Sequence, residues 1–437
     1  MQKSFLLVTF VVVAPIAMGQ TLVRQRTAVW NQGANSFSNA SKVAVAPDQS
    51  VYVTGTTRLA GKENDGVLIK YDSRGNQLWS RLHQSPGALI DEFSDIAFDR
   101  SSNVYWIGHN YRKTVIDKYS PAGSLLWSKE LGFGVGPSTY PARILVGSDG
   151  NPVACYRADS GMHVTKLDSQ GNQLWDSFYD GPTNRGANPS DAAMDAHGNV
   201  YQTGIISLDG IGQATGTVKI TPDGQREWLN LDTGFHSQAN YFPFLTATTN
   251  SCVVASVPES PFGVGVTYTY QMNSVGGQSW RKLFPDGATQ DARARAIRYD
   301  SKGNFVVALN STVPGGVFVV KYDQSGIRTW SSQFNSGGNS VADLTVDPFG
   351  NAITVGSTGG SPRRVEILAY SPGGALLGSD TIAAGGNASA SGVWITTGNR
   401  GTIYVASTAN ANVVLTLFAP IGAQGSLDMQ VGHAGLP

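Results

Sequence analysis

The chain has 437 residues, with 31 Lys+Arg against 31 Asp+Glu, so its formal net charge is zero. That balance excludes the broad positive field by which nucleic-acid and anionic-membrane binders hold their partners. Hydrophobic residues make up 41%, which excludes intrinsic disorder, while 52 glycines and only 14% charged residues depart from an average soluble domain. Length alone suggests about three domains at ~150 residues each.

The first segment reads as a secretory signal. Met1-Gln2-Lys3 is a short basic start, Phe5 to Val13 is apolar, and Ala17-Met18-Gly19 offers small residues for cleavage before Gln20. The expected division is a signal peptide over 1–19 and one folded unit over 20–437. Pro15 interrupts the apolar run, which is short for a span of ~20 residues, and no later segment is apolar enough to cross a bilayer. The expected location is secreted, periplasmic or cell-surface. Cys155 and Cys252 are the two cysteines and are read as buried free thiols in strands of different repeats.

From residue 70 onward one phrase recurs. Lys70-Tyr-Asp-Ser-Arg-Gly-Asn-Gln-Leu-Trp79 returns in copies ending at Trp127, Trp175, Trp228 and Trp330, with weaker copies ending at Trp280, Gly378 and Ser426. Trp30 marks one further copy of the last part, and successive copies lie 48 to 53 residues apart. A second phrase, Asp195-Ala-His-Gly-Asn-Val-Tyr201, recurs from Asp300 and Asp347, and from Asp99 without its Gly. Each unit reads as four short strands bounded by Gly, Pro, Asn and Asp. In the second unit these are 95–99, 103–108, 114–119 and 125–129. Continuous apolar runs such as Val317-Phe-Val-Val320 suit strands buried on both faces, and no segment carries a convincing helical period.

The Asp-x-x-Gly phrase has a local cause. Asp accepts backbone N–H groups within the turn, and Gly takes the φ > 0 position without steric cost. Asp72, Asp168, Asp195, Asp300, Asp323 and Asp347 are therefore read as turn residues, with a calcium role as the alternative. A calcium site wants six or more oxygens, and one Asp per turn does not supply them.

Four-stranded units of about 50 residues repeated round an axis describe an all-β fold, a single β-propeller. First-strand positions near 43, 95, 144, 192, 245, 296, 343 and 394 give eight blades, with seven as the alternative. The strand near Trp30, about Thr27–Gln32, would complete the last blade and close the ring. The segment Ser426–Val431 competes with it for the same edge.

These residues resemble the bacterial β-propeller-repeat (SBBP) family, whose repeats run Asp-x-x-Gly-Asn-Val-Tyr-Val-Thr-Gly, a variable loop, then Lys-Tyr-Asp-x-x-Gly-x-x-x-Trp. Ser50-Val-Tyr-Val-Thr-Gly55 and Val67–Trp79 fit that pattern closely, whereas Gly378 and Ser426 stand where Trp is expected. The resemblance implies an exported or surface protein with no assigned activity. A fainter likeness to quinoprotein dehydrogenases fails on turn spacing and on their adjacent cysteines, and the sialidase Asp-box differs in spacing.

The repeats also sort the loops. Turns joining strands one to two and three to four are uniform and lie on one face. Loops joining strands two to three, and each unit to the next, are diverse and lie on the other, where a binding function would be placed. Candidate contacts there are Glu63, Asp65, Asp91, Glu92, His109, Arg112, Asp159, His163, Asp209, His236 and Arg363, with Asp91-Glu92 as a possible carboxylate pair. The simpler reading is solvated loop side chains. The six histidines show no metal-ligand spacing, His197 sits inside a turn, and no nucleophile-elbow, phosphate-loop or zincin motif occurs. Trp79, Trp127, Trp175, Trp228, Trp280 and Trp330 hold one place in every unit, which predicts packing between adjacent blades rather than carbohydrate stacking. No cofactor, metal site or catalytic residue is read, and a monomer is expected. The leading expectation is a non-enzymatic scaffold binding protein or glycan through the diverse loops. The rivals are a hydrolase or lyase at the channel mouth and a structural surface component.

Overall fold

The computed structural model describes residues 20–33, 35–85, 91–110, 113–132, 141–182, 186–209, 212–233, 243–257, 266–285, 291–311, 315–334, 339–383 and 390–421. The expected signal segment and the competing segment Ser426–Val431 lie outside them. The described residues form eight sheets, each with four antiparallel strands, and contain no helix. Blade 1 runs Ser36–Val45, Val51–Leu59, Asp65–Tyr71 and Gln77–His83. Blade 2 begins at Asp91, blade 3 at Pro141, blade 4 at Ala187, blade 5 at Phe244, blade 6 at Arg293 and blade 7 at Ser340. Blade 8 takes Ala390–Thr397, Ile403–Ala409 and Asn412–Phe418 from its own stretch and Arg24–Trp30 from the N-terminal region. The first strands abut one another all the way round, with Ser36–Val45 against Ala390–Thr397 completing the circle. The eight-bladed expectation therefore holds, and the three-domain prior gives way to one ring of repeats.

The closing strand corrects the register of the Trp30 copy. Arg26 pairs with Leu417, as Trp79 pairs with Lys70, so Arg26 occupies the repeat's Trp position and Trp30 lies four residues further on. Trp30 is buried among Val51, Val413 and Leu415. The match of Trp30 to the repeat in sequence is thus a coincidence of residue type on the correct strand. A two-residue strand, Gln20–Thr21, adds in parallel to blade 7 beside Gly378, the position where that blade lacks its Trp.

The turns behave as their sequence dictates. Asp168 Oδ1 accepts the N–H groups of Gln170 and Asn172, and Oδ2 accepts the Asn172 side-chain amide, at 2.8–2.9 Å. Asp72, Asp195, Asp300 and Asp347 repeat this arrangement, and Asp323 makes its two backbone bonds. Asp99 does the same with Ser102 at φ 60° in place of Gly. Both oxygens of Asp168 are spent on the turn itself.

The repeated tryptophans join the blades. Trp79, Trp127, Trp175, Trp228, Trp280 and Trp330 each donate the indole N–H to a carbonyl in the outer turn of the next blade, at 2.8–3.1 Å. The glycine of that turn lies against the indole. A Cβ on Gly276 would stand 2.9 Å from Trp228, so that position needs Gly for its φ of +84° and for the approach of the ring. The Lys of the same phrase supports the joint. Lys70 Nζ donates to Pro121 O of blade 2 at 2.9 Å and meets Asp48 of its own blade at 3.3 Å. At the closing seam Arg26 donates to Asn76 Oδ1 at 2.6 Å and Tyr404 to Ser73 O at 3.0 Å, where no Trp stands.

Trp228 is the most buried of the six, at 8% exposure. Trp228→Ala is expected to cost about 3–5 kcal/mol of unfolding free energy. Gly276→Ala should cost about 1–3 kcal/mol through its backbone conformation alone. Urea titration of both variants checks the joint, and no loss in either would contradict it.

Candidate functional site at the mouth of the axial channel

Every first strand except that of blade 5 carries one β-bulge in its first half, the half that follows the diverse loops. A bulge re-aims the residue beside it. The positions just past it, with the matching position of blade 5, are Lys42, Asp95, Arg143, Asp191, Phe244, Ala296, Asp343 and Trp394 in blade order. Charges of alternating sign occupy blades 1 to 4. Lys42 meets Asp95 at 3.8 Å, Arg143 meets Asp191 at 2.7 Å, and Arg298 meets Asp343 at 2.6 Å.

The aspartates also tie blade to blade. Asp95 accepts the N–H of Ile144, Asp191 that of Leu245 and Asp343 that of Ile395, each on the first strand of the following blade. Burial opposes the Arg143 charge, but Asp191, Asp95 and Asp343 hold the guanidinium firmly protonated. Burial and the neighbouring Arg143 charge push the Lys42 ammonium below its ordinary pKa, and Lys42 lies 4.9 Å over the Trp394 ring. These residues border or adjoin a cavity of about 480 Å³ whose lining includes Arg143, Phe244, Arg295, Arg298, Asp343 and Trp394. Asn310, at the end of a second strand, and Ser340 also line it, which places it towards the diverse-loop end of the channel.

None of the described sequence-selected residues lines this cavity. Asp65, Asp91, Glu92 and His109 gather at the junction of blades 1 and 2. Asp91 and Glu92 do not act as a carboxylate pair, because successive residues of a strand face opposite ways. Asp91 is fully buried and accepts the Ser85 N–H and hydroxyl, both at 2.6 Å, while burial raises its carboxyl above the usual range. Glu92 instead faces His109 at 3.4 Å in a recess of about 280 Å³ that Ser41, Thr56 and Phe93 help to line. The hydrogen bond from His109 holds the Glu92 carboxyl below its ordinary pKa against the effect of burial. Asp65 accepts the Gln84 amide at 2.8 Å.

The others are dispersed. Glu63, Asp209 and Arg363 are exposed on separate loops. Asp159 and Ser160 take φ of 47° and 69° and form the two-residue turn of a tight hairpin, so Asp159 has a structural reason to be there. His163 stacks on Tyr156 at 5.1 Å and pairs with Asp176 at 3.0 Å. Burial raises the Asp176 carboxyl, but the bonds from His163 and Thr165 prevail and hold it low. Arg112 and His236 lie outside the described residues. Cys155 and Cys252 are free and fully buried in blades 3 and 5, as expected, and burial raises both thiols well above their ordinary pKa.

Sequence reasoning missed the axial residues and His83. The axial residues hold one position of the first strand in every unit, but as Lys, Asp, Arg, Phe, Ala or Trp, so no repeated residue type marks that position in the sequence. His83 was hidden because its partner, Asp117, is 34 positions away in the next blade and 2.7 Å distant in space.

Comparison with solved structures fixes the fold. The chain is similar to a europium-containing methanol dehydrogenase at 10% identity and TM-score 0.50, covering 90% of this chain and 88% of that one. It is similar at the same identity and TM-score to a prolyl endopeptidase, over 86% of this chain and 55% of that longer one. Neighbours so distant in sequence and so different in activity share the propeller alone. No protein-family model and no curated protein sequence matches the chain.

His83 supplies a pH test. Burial lowers its pKa, but Asp117 outweighs this and raises the imidazole above 6.5. A folded pKa above the unfolded one stabilises the protein fully below about pH 6.5, and that contribution is lost as pH rises through the folded value. The stability gap between wild type and His83→Gln should therefore be larger at about pH 5.5 than at about pH 8.5 in urea unfolding. A gap that widens towards alkaline pH would contradict the pairing.

Proposed function

We propose that this chain is an exported propeller of the bacterial β-propeller-repeat type that binds a glycan or protein ligand on its diverse-loop side without catalysing its conversion. The observation carrying this reading is the unequal use of polar groups on the two sides. On the turn side, the repeat aspartates are consumed by their own turns. On the diverse-loop side lie the axial cavity and the Glu92–His109 recess, both with charged linings. Export is supported by the signal-like segment before Gln20, and the family by the repeated phrases in residues 50–79 and their copies.

Hydrolysis or lysis at the channel mouth is the weaker reading. A general acid needs a carboxyl kept protonated near neutral pH. Asp191 and Asp343 are each held by an arginine and backbone N–H groups, and Glu92 is stabilised as an anion. Asp91 has a raised pKa, but Ser85 occupies both its oxygens.

Two surface variants test the side. One replaces Glu63, Asp209 and Arg363 by Ser on the diverse loops, and the other replaces Arg74 and Arg100 by Ser on the turns. On a glycan array and in affinity capture, the loop variant should lose at least about tenfold in affinity while the turn variant keeps it. Equal binding by both variants would refute the chosen side.

A further inference from the structure

We propose that the axial cavity is a binding site for a small organic anion, a carboxylate or phosphate carried on a sugar ring. The inference rests on the reading of the diverse-loop side as the binding side and names the ligand chemistry of its central recess. The argument begins with hydrogen-bonding groups. The cavity lining holds three guanidinium groups, from Arg143, Arg295 and Arg298, against the one carboxylate of Asp343. Asp343 is saturated: Oδ1 accepts from Arg298 and Leu344 N, and Oδ2 from Ile395 N. The one carboxylate in the lining is therefore spent.

Donors are in excess. A guanidinium carries five N–H groups. Arg143 directs Nε to Asp191, and its two terminal nitrogens make no hydrogen bond among the described residues. Arg295 is exposed to the cavity and has no hydrogen-bond or ion-pair partner among the described residues. It stands at the bulged position of its strand, between Ala294 and Ala296, where the ladder leaves it unpaired. No hydrogen bond or ion pair among the described residues uses its guanidinium, so polar pairing within the fold gives no reason for a cation there. A planar fork of N–H donors suits carboxylate and phosphate oxygens.

The remaining lining selects the body of the ligand. Phe244 and Trp394 supply apolar walls on the first strands of blades 5 and 8. Aromatic walls accept the C–H face of a sugar ring while the arginines take its oxyanion. A volume of about 480 Å³ is within the range of small-ligand sites and admits one or two sugar units.

Calorimetric titration of the folded chain with sodium glucuronate, glucose 6-phosphate and glucose tests this. One or both anions should bind and neutral glucose should not. Arg295→Gln should weaken anion binding by about 10- to 100-fold with an unchanged melting temperature, because it removes charge-assisted bonds to the ligand and no hydrogen bond or ion pair seen within the fold. Arg74→Gln, on the turn side, should leave anion affinity unchanged. Preference for glucuronate over the sugar phosphate would assign the carboxylate form, and the reverse the phosphate form. The proposal is overturned if glucose binds as well as the anions, if Arg295→Gln binds within twofold of wild type, or if neither anion binds at millimolar concentration. Loss of anion binding claims with loop-dependent glycan-array signals intact would remove the axial site and leave the diverse-loop side standing.

Discussion

The ring depends on one contact made again and again: an indole N–H reaching a carbonyl in the outer turn of the next blade. Three sequence features meet there. Trp provides the donor and a flat surface. The turn Gly allows that surface to approach and holds φ near +80°. The Lys paired with that Trp across the third and fourth strands anchors the same turn and, in blade 1, meets the Asp of its own inner turn. A blade alone would expose both faces of a sheet; packed in a circle it exposes neither, which explains the low content of charged residues.

This division of labour separates the two sides of the molecule. Uniform turns are committed to the joints and cannot vary without cost. The opposite side carries no such obligation, and its loops differ in length and content from blade to blade. The axis is intermediate. Its aspartates link neighbouring first strands through backbone N–H groups, while its arginines exceed what those aspartates need. Structural pairing and surplus positive charge thus occupy the same ring of positions.

Much of this was legible in the sequence, and the boundary has a physical cause. Interactions within one turn depend on residues two to four apart, so Asp168, Gly171 and Asn172 announce their turn directly. Repetition at one spacing announced the blades and the inter-blade role of Trp. Contacts across blades involving unrepeated residues left no such trace. His83 and Asp117, Arg26 and Asn76, and the axial series from Lys42 to Trp394 each appear once in their pairing. The register of Arg24–Trp30 failed for the same reason: the seam uses Arg26 where the repeat uses Trp, and the residue type misled the alignment. Among the loop candidates, Glu92 and His109 came together, whereas Asp159 and His163 proved to have turn and packing roles.

If the joints and the closing strand act as described, the eight blades form one cooperative unit. The two cysteines report on this without any substitution, since Cys155 and Cys252 are fully buried in blades 3 and 5. Pulsed thiol labelling across a urea titration, resolved by peptide, measures when each blade opens. The account predicts that both thiols become reactive in the same transition, coincident with the change in tryptophan fluorescence. Labelling of one thiol well before the other would contradict a closed ring held by equivalent joints.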